Sequence, residues 1–152
     1  MAVICPDSRS MPSEVAIAVD HFLRIFHTEI TCEEGLNHLI ATLDQLAWLA
    51  HGVKYEFDER DYPEPISLDR QASVRIADQW LKGMRQPDDK SSFMATAAIM
   101  DLAEIVDDMT EFSWRFRQTS EADALFYFQF GFYSHWGRHL RTLHKALHDW
   151  YW

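Results

Sequence analysis

His135 and His139 stand four residues apart in the stretch His135-Trp136-Gly137-Arg138-His139. On a helix that spacing puts two imidazoles one turn apart on one face. Such a pair can chelate Zn²⁺ or another transition ion. Earlier in the chain Asp101, Glu104, Asp107, Asp108 and Glu111 form an acidic row. Asp101 and Asp108 fall nearly in line on a helix, beside the apolar stripe of Leu102 and Met109, and Glu104 and Glu111 lie further round. Hard cations need several oxygens converging from one or two faces. The candidate metal-ligating residues are therefore Asp101, Glu104, Asp108, His135 and His139. The plainer alternative is a solvated acidic face, with the two histidines hydrogen-bonded to carboxylates on a facing helix.

Other chemistry finds little support. The sequence holds no His-Glu-x-x-His, no Glu-x-x-His pairs of the di-iron type, no Gly-x-Ser-x-Gly elbow and no phosphate-binding glycine loop. Ser134 and His135 are neighbours, so on a helix they diverge and make a poor dyad. His144 and His148 repeat the four-residue spacing but project from roughly the opposite side to His135. Ligation of one ion by all four histidines of this helix is thereby excluded, and both are expected to face solvent near a helix end.

The elements that must position these groups are helical. After a short leader over 1–11, Pro12 and Ser13 open a helix carrying Val15, Val19, Phe22, Ile25 and Phe26. Thr31-Cys32-Glu33-Glu34 is a capping box for a second helix. Its stripe is Leu36, Leu39, Ile40, Leu43, Leu46 and Ala47, and Gly52 is its stop. Residues 53–67 read as a loop, since Pro63 and Pro65 exclude regular helix. A third helix is predicted from Leu68 to Gly83, buried through Ala72, Ile76, Ala77, Trp80 and Leu81. Pro87-Asp88-Asp89-Lys90 marks a break.

Ser91 or Ser92 then caps a long fourth helix to Phe116, with Ala95, Ala98, Leu102, Ile105, Val106, Met109, Phe112 and Phe116 inward. Ser120-Glu121-Ala122-Asp123 opens a fifth that reaches Trp150. Phe126, Phe128, Phe130 and Phe132 alternate as in a strand. Leu125, Phe128, Phe132, Trp136, Leu143 and Leu147 equally form one helical stripe. Helix is preferred, because a lone strand would leave its backbone unpaired. This stretch is apolar around most of its circumference, so it is either the central helix or a homodimer face. The tail Trp150-Tyr151-Trp152 folds back on the bundle or packs in a dimer.

The expected architecture is all-α: one domain over 12–152, a bundle of about five helices. The fourth and fifth pack antiparallel, bringing His135 and His139 toward Asp101–Asp108. With 152 residues, 47% apolar and 25% charged, the chain can bury one sizeable core. A net charge of −10 argues against nucleic acid and anionic membranes as partners. Cys5 and Cys32 share no motif and read as reduced thiols. No targeting signal or long apolar run is found, so the cytoplasm is expected.

The segment Asp101-Leu102-Ala103-Glu104-Ile105-Val106-Asp107-Asp108-Met109, followed by Phe130-x-Phe132-x-x-His135-Trp136-Gly137-x-His139, resembles a bacterial family of uncharacterised all-helical domains. The likeness spans about residues 95–148. It departs from the family pattern at Met100, where a second Asp often stands, and at Val106, where Tyr does. The resemblance implies the fold and a site at Asp101, Glu104, Asp108, His135, Trp136, Gly137 and His139, but no activity. The acidic row also resembles half of the Mg²⁺-binding box of all-α nucleoside-triphosphate pyrophosphatases; Glu29, Glu33 and Glu34 are the candidates for its other half.

Three functions follow as expectations. The first is a non-enzymatic structural or interaction module whose His/carboxylate network fixes helix register. The second is a divalent-metal protein, with a hydrolase as one form of it, holding the ion between the last two long helices. The third is a Mg²⁺-dependent nucleotide pyrophosphatase.

Overall fold

Apolar residues recur at helical spacing through most of this chain, and each stripe becomes the buried face of a helix. The computed structural model describes residues 11–27, 32–54, 56–65, 69–83 and 92–151. Within them run α1 (Met11–Ile25), α2 (Cys32–Gly52), α3 (Arg70–Gly83), α4 (Ser92–Gln118), α5 (Glu121–Gly131), a π-helical turn (Phe132–Trp136) and α6 (Gly137–Tyr151). The fold is an all-α bundle, and no strand occurs among the described residues. No described helix is long and apolar enough to cross a membrane.

The core draws on every helix. Val15, Val19 and Phe22 come from α1, and Leu39, Leu43 and Leu46 from α2. Leu102, Ile105, Met109 and Phe112 come from α4, Phe128 from α5, and Leu143 and Leu147 from α6. Burying each large apolar side chain contributes about 1.5–3 kcal/mol, before the entropy of ordering is set against it. The helix that meets most others is α4, which packs on α1, α3, α5 and α6. That central place is why its buried stripe is long and its acidic groups are drawn partly inward.

The alternating phenylalanines are helical. Leu125, Phe128, Phe132, Trp136, Leu143 and Leu147 are all buried on one continuous stripe. Phe126 and Phe130, off that stripe, stack on each other with centroids 5.6 Å apart. Phe130 is 54% exposed and Tyr133 65% exposed, so this side of the helix is largely open among the described residues. Phe116 is also more exposed than its place on the fourth-helix stripe predicts. It sits in the last turn of α4, with Phe112 stacked on its inner side.

The fifth helix is interrupted where a single rod is expected. Gly137 donates its N–H to Phe132 O, a bond spanning five residues instead of four. Trp136 stays in the core and donates its indole N–H to Phe128 O at 3.0 Å.

The segment before α3 is not helical, as Pro63 and Pro65 require. It is tied to α5 through Asp58, whose Oδ2 accepts from Ser120 Oγ at 2.6 Å and from Tyr62 OH at 2.6 Å. Ser120 also caps α5, its Oγ accepting the Asp123 N–H at 3.0 Å. At the other end of the bundle Trp150 is half-buried against the core. Residues 1–10 of the leader, Cys5, Glu29, the Thr31 cap, Leu68, the break at Pro87–Lys90 and Trp152 lie outside the described residues.

Candidate metal centre

The helical repeat of α4 places Asp101, Glu104 and Asp108 on successive turns of the side turned toward α6 and α3. Antiparallel packing sets the order of contact. His139, later on α6, meets Asp101, and His135, in the π turn, meets Asp108. The Nδ1–H of His139 donates to Asp101 Oδ1 at 2.8 Å. The Nδ1–H of His135 donates to Asp108 Oδ2 at 2.7 Å. A carboxylate only accepts, so the proton stands on Nδ1 in both pairs and Nε2 keeps its lone pair in the neutral ring.

Glu104 lies between these two contacts. Its Oε2 is 3.6 Å from His135 Nε2. Its Oε1 accepts from Arg70 Nη2 at the start of α3. Glu104, His135 and His139 each offer one ligand atom, and these atoms lie within 4.8 Å of one another. Two ligands on a tetrahedral cation with bonds of about 2.1 Å stand roughly 3.4 Å apart, close to the His135–Glu104 separation. The two rings lie edge to face, with centroids 5.0 Å apart.

The three carboxylates are nearly covered, with side chains 11–14% exposed, whereas His135 is 43% exposed. The cluster thus opens to solvent on the histidine side. Burial pushes the Asp108 carboxyl up to about 6, against the opposing pull of His135. Asp107 faces α3 instead, where its Oδ1 accepts from Ser73 Oγ.

The five sequence candidates therefore come together with divided roles. Glu104, His135 and His139 converge, and Asp101 and Asp108 stand behind the rings. His144 is not simply solvent-facing. It turns toward α2, with Nε2 2.9 Å from Asp44 Oδ1 and a side chain only one-third exposed, because that flank of α6 packs on α2. His148 is exposed. Glu33 and Glu34 are exposed in the first turn of α2, where they favour the helix dipole. Glu111 belongs to a separate network: Arg115 bridges it to Asp123 and lies 4.2 Å from the Tyr127 ring centroid.

Sequence reasoning missed Arg70, whose only signal was one basic residue at the start of a predicted helix. It also missed Gln129, a buried amide inside the aromatic run. Gln129 Nε2 donates to Ala50 O at 2.9 Å and to Val53 O at 2.5 Å, closing the C-terminal end of α2.

This helical pair lies in the part of the chain that a protein-family comparison matches. A family described as a domain of unknown function (DUF5063) matches residues 77–152, half of the chain, and the protein belongs to that family. All five cluster residues lie in the matched span; Arg70 and Ser73 precede it. Comparison with curated proteins and with solved structures gives no match.

Proposed function

We propose that this domain binds a divalent transition ion of the zinc type through Glu104, His135 and His139. The observation that carries the reading is the division of labour on the two imidazoles. Each Nδ1 is engaged by a carboxylate, Asp108 or Asp101. Each Nε2 is thereby left to ligate. Carboxylate–histidine–metal arrays are built in this way, because the outer carboxylate fixes ring orientation and raises the basicity of the ligating nitrogen. Two nitrogens and one carboxylate oxygen suit Zn²⁺ and its neighbours better than Mg²⁺ or Ca²⁺. Three protein ligands leave a fourth position open, and a cation there can activate water.

A second reading is favoured by a different observation. Phe57, Phe130 and Tyr133 are each more than half exposed, and Phe57 packs on Phe126 of α5. This aromatic side suits a protein contact, a homodimer included, with the His/carboxylate pairs serving as register pins between α4 and α6. A soluble cytoplasmic interaction module that leaves nucleic acid alone is consistent with the net charge of −10.

Elemental analysis of the purified protein, equilibrated with Zn²⁺ and desalted, separates the two. The metal reading expects about one ion per chain, lost in H135A, H139A and E104Q. Failure of the native chain to retain metal, with a large fall in melting temperature for H135A and H139A, rejects it in favour of the register pins.

A further inference from the structure

We propose that the ion held by Glu104, His135 and His139 takes a small oxyanion, a phosphate or carboxylate group, as its further ligand, and that Arg70 holds the same group. The inference rests on the metal reading above and names what that site accepts.

The geometry begins with the two oxygens of Glu104. Oε2 faces His135 Nε2 at 3.6 Å, and Oε1 accepts from Arg70 Nη2. An ion bound on the Oε2 side therefore has a guanidinium on the other oxygen of the same carboxylate. Arg70 is 57% exposed along its side chain, and Glu104 is its partner among the described residues. A guanidinium carries five N–H donors in a planar fork, so one bond to Glu104 leaves donors for an arriving anion. The ion and this fork would share the one Glu104 carboxylate, and an oxyanion has two or more oxygens with which to span them.

Charge makes the two binding events depend on each other. Among the described residues, Asp101, Glu104 and Asp108 set three carboxylates beside the guanidinium of Arg70. Asp107, with Ser73 on its Oδ1, adds to the negative side. Without a cation this surface repels anions, and a divalent ion cancels most of the excess. The anion should thus bind only the metal-loaded protein. By linkage it must tighten the metal by the same factor as the metal tightens it.

The test is a Co²⁺ titration of the full chain, followed by visible absorption, alone and with inorganic phosphate or acetate added separately. Either anion should tighten Co²⁺ binding by about fivefold or more, within the usual span of coupling between sites. R70Q should bind Co²⁺ alone and lose the enhancement. R70K, which keeps the charge without the fork, should retain part of it. Melting curves of both variants check the fold. Enhancement by neither anion, or enhancement undiminished in R70Q, overturns the proposal while leaving the metal reading intact. Failure of the native chain to bind Co²⁺ at all removes the metal reading, and this inference with it.

Discussion

Gly137 donates its N–H to Phe132 O, and a Cβ at Gly137 would stand 2.2 Å from that oxygen. The same Cβ would lie 2.8 Å from the Phe132 ring, which is itself buried. The backbone at Gly137 is ordinary right-handed helix, so the requirement is for space and not for an unusual dihedral. This close approach joins the π turn that carries His135 to the helix that carries His139. Substituting G137A must push the turn apart or force it back to α geometry, and either changes the angle between the two rings. Overpacking of this kind costs about 1–3 kcal/mol. For a domain of this size the melting temperature should fall by roughly 2–4 °C per kcal/mol. Differential scanning calorimetry measures that loss, and the Zn²⁺ content of the same variant should fall with it. A G137A protein with native stability and full metal content would contradict the steric account.

On the metal reading, Asp101 and Asp108 stand behind the rings and act through the histidines without touching the ion. D101N and D108N keep the size of the side chain and an oxygen that accepts the Nδ1–H. They remove the negative charge that makes each Nε2 a better ligand. Loss of such an outer partner lowers metal affinity by about 10–100-fold. Competition against a chromophoric chelator should give that drop for each variant, with circular dichroism unchanged. Equal affinity in native and variant proteins would show that the carboxylates serve only the packing of α4 on α6.

Periodicity made the helices readable, and it also limited what could be read. The stripe Leu102, Ile105, Met109, Phe112 announces itself because α4 packs on four other helices. The acidic row and the histidines could be paired because antiparallel helices joined by a short turn leave little freedom of register. Period alone says nothing of which nitrogen of a ring bonds which carboxylate, so five equal candidates became three converging groups and two supports. The π turn was hidden because Phe132, Trp136 and Leu143 fit an unbroken helix tolerably well. Its signal was the pair Gly131 and Gly137, one on each side of the turn, with a Cβ at Gly131 falling 2.9 Å from Trp136. Arg70 reaches Glu104 from another helix across a loop, and no sequence period connects them.

Protonation of Asp108 gives a test that does not involve a metal. Burial holds its carboxyl up near 6, and the contact with His135 pulls it the other way. Replacing His135 by Ala removes that pull, so the Asp108 pKa should rise further in H135A. Carboxyl ¹³C shifts of the metal-free protein measure it directly. The sign for stability follows from linkage. A folded pKa above the unfolded value of about 3.9 means that the folded state binds the proton more tightly than the unfolded chain. The contribution of this group is then greatest below pH 4 and declines as pH rises through 6. D108N, which cannot titrate, should flatten that part of the stability profile. A downward shift of Asp108 in H135A would reverse the assignment of causes.

The junction of loop and helix at Ser120 carries the opposite pH dependence. Ser120 Oγ accepts the Asp123 N–H and donates to Asp58 Oδ2. Asp58 also receives two bonds from the Arg60 side chain, at 2.9 and 2.7 Å. Arg60 first, then Ser120 and Tyr62, hold the Asp58 carboxyl far below the usual range. A depressed folded pKa contributes stability above the unfolded value near 3.9, and loses it as pH falls below that. S120A removes the α5 cap together with one of the bonds to Asp58, and loss of the cap alone costs about 1 kcal/mol. Urea unfolding at pH 7 should show a loss of at least that size. Because S120A also weakens the hold on Asp58, the carboxyl ¹³C titration of Asp58 should move to higher pH in the variant, while the stability gap stays level down to pH 3. An Asp58 titration unchanged in S120A would mean that the serine acts on the helix end alone and that the loop is not anchored through Asp58.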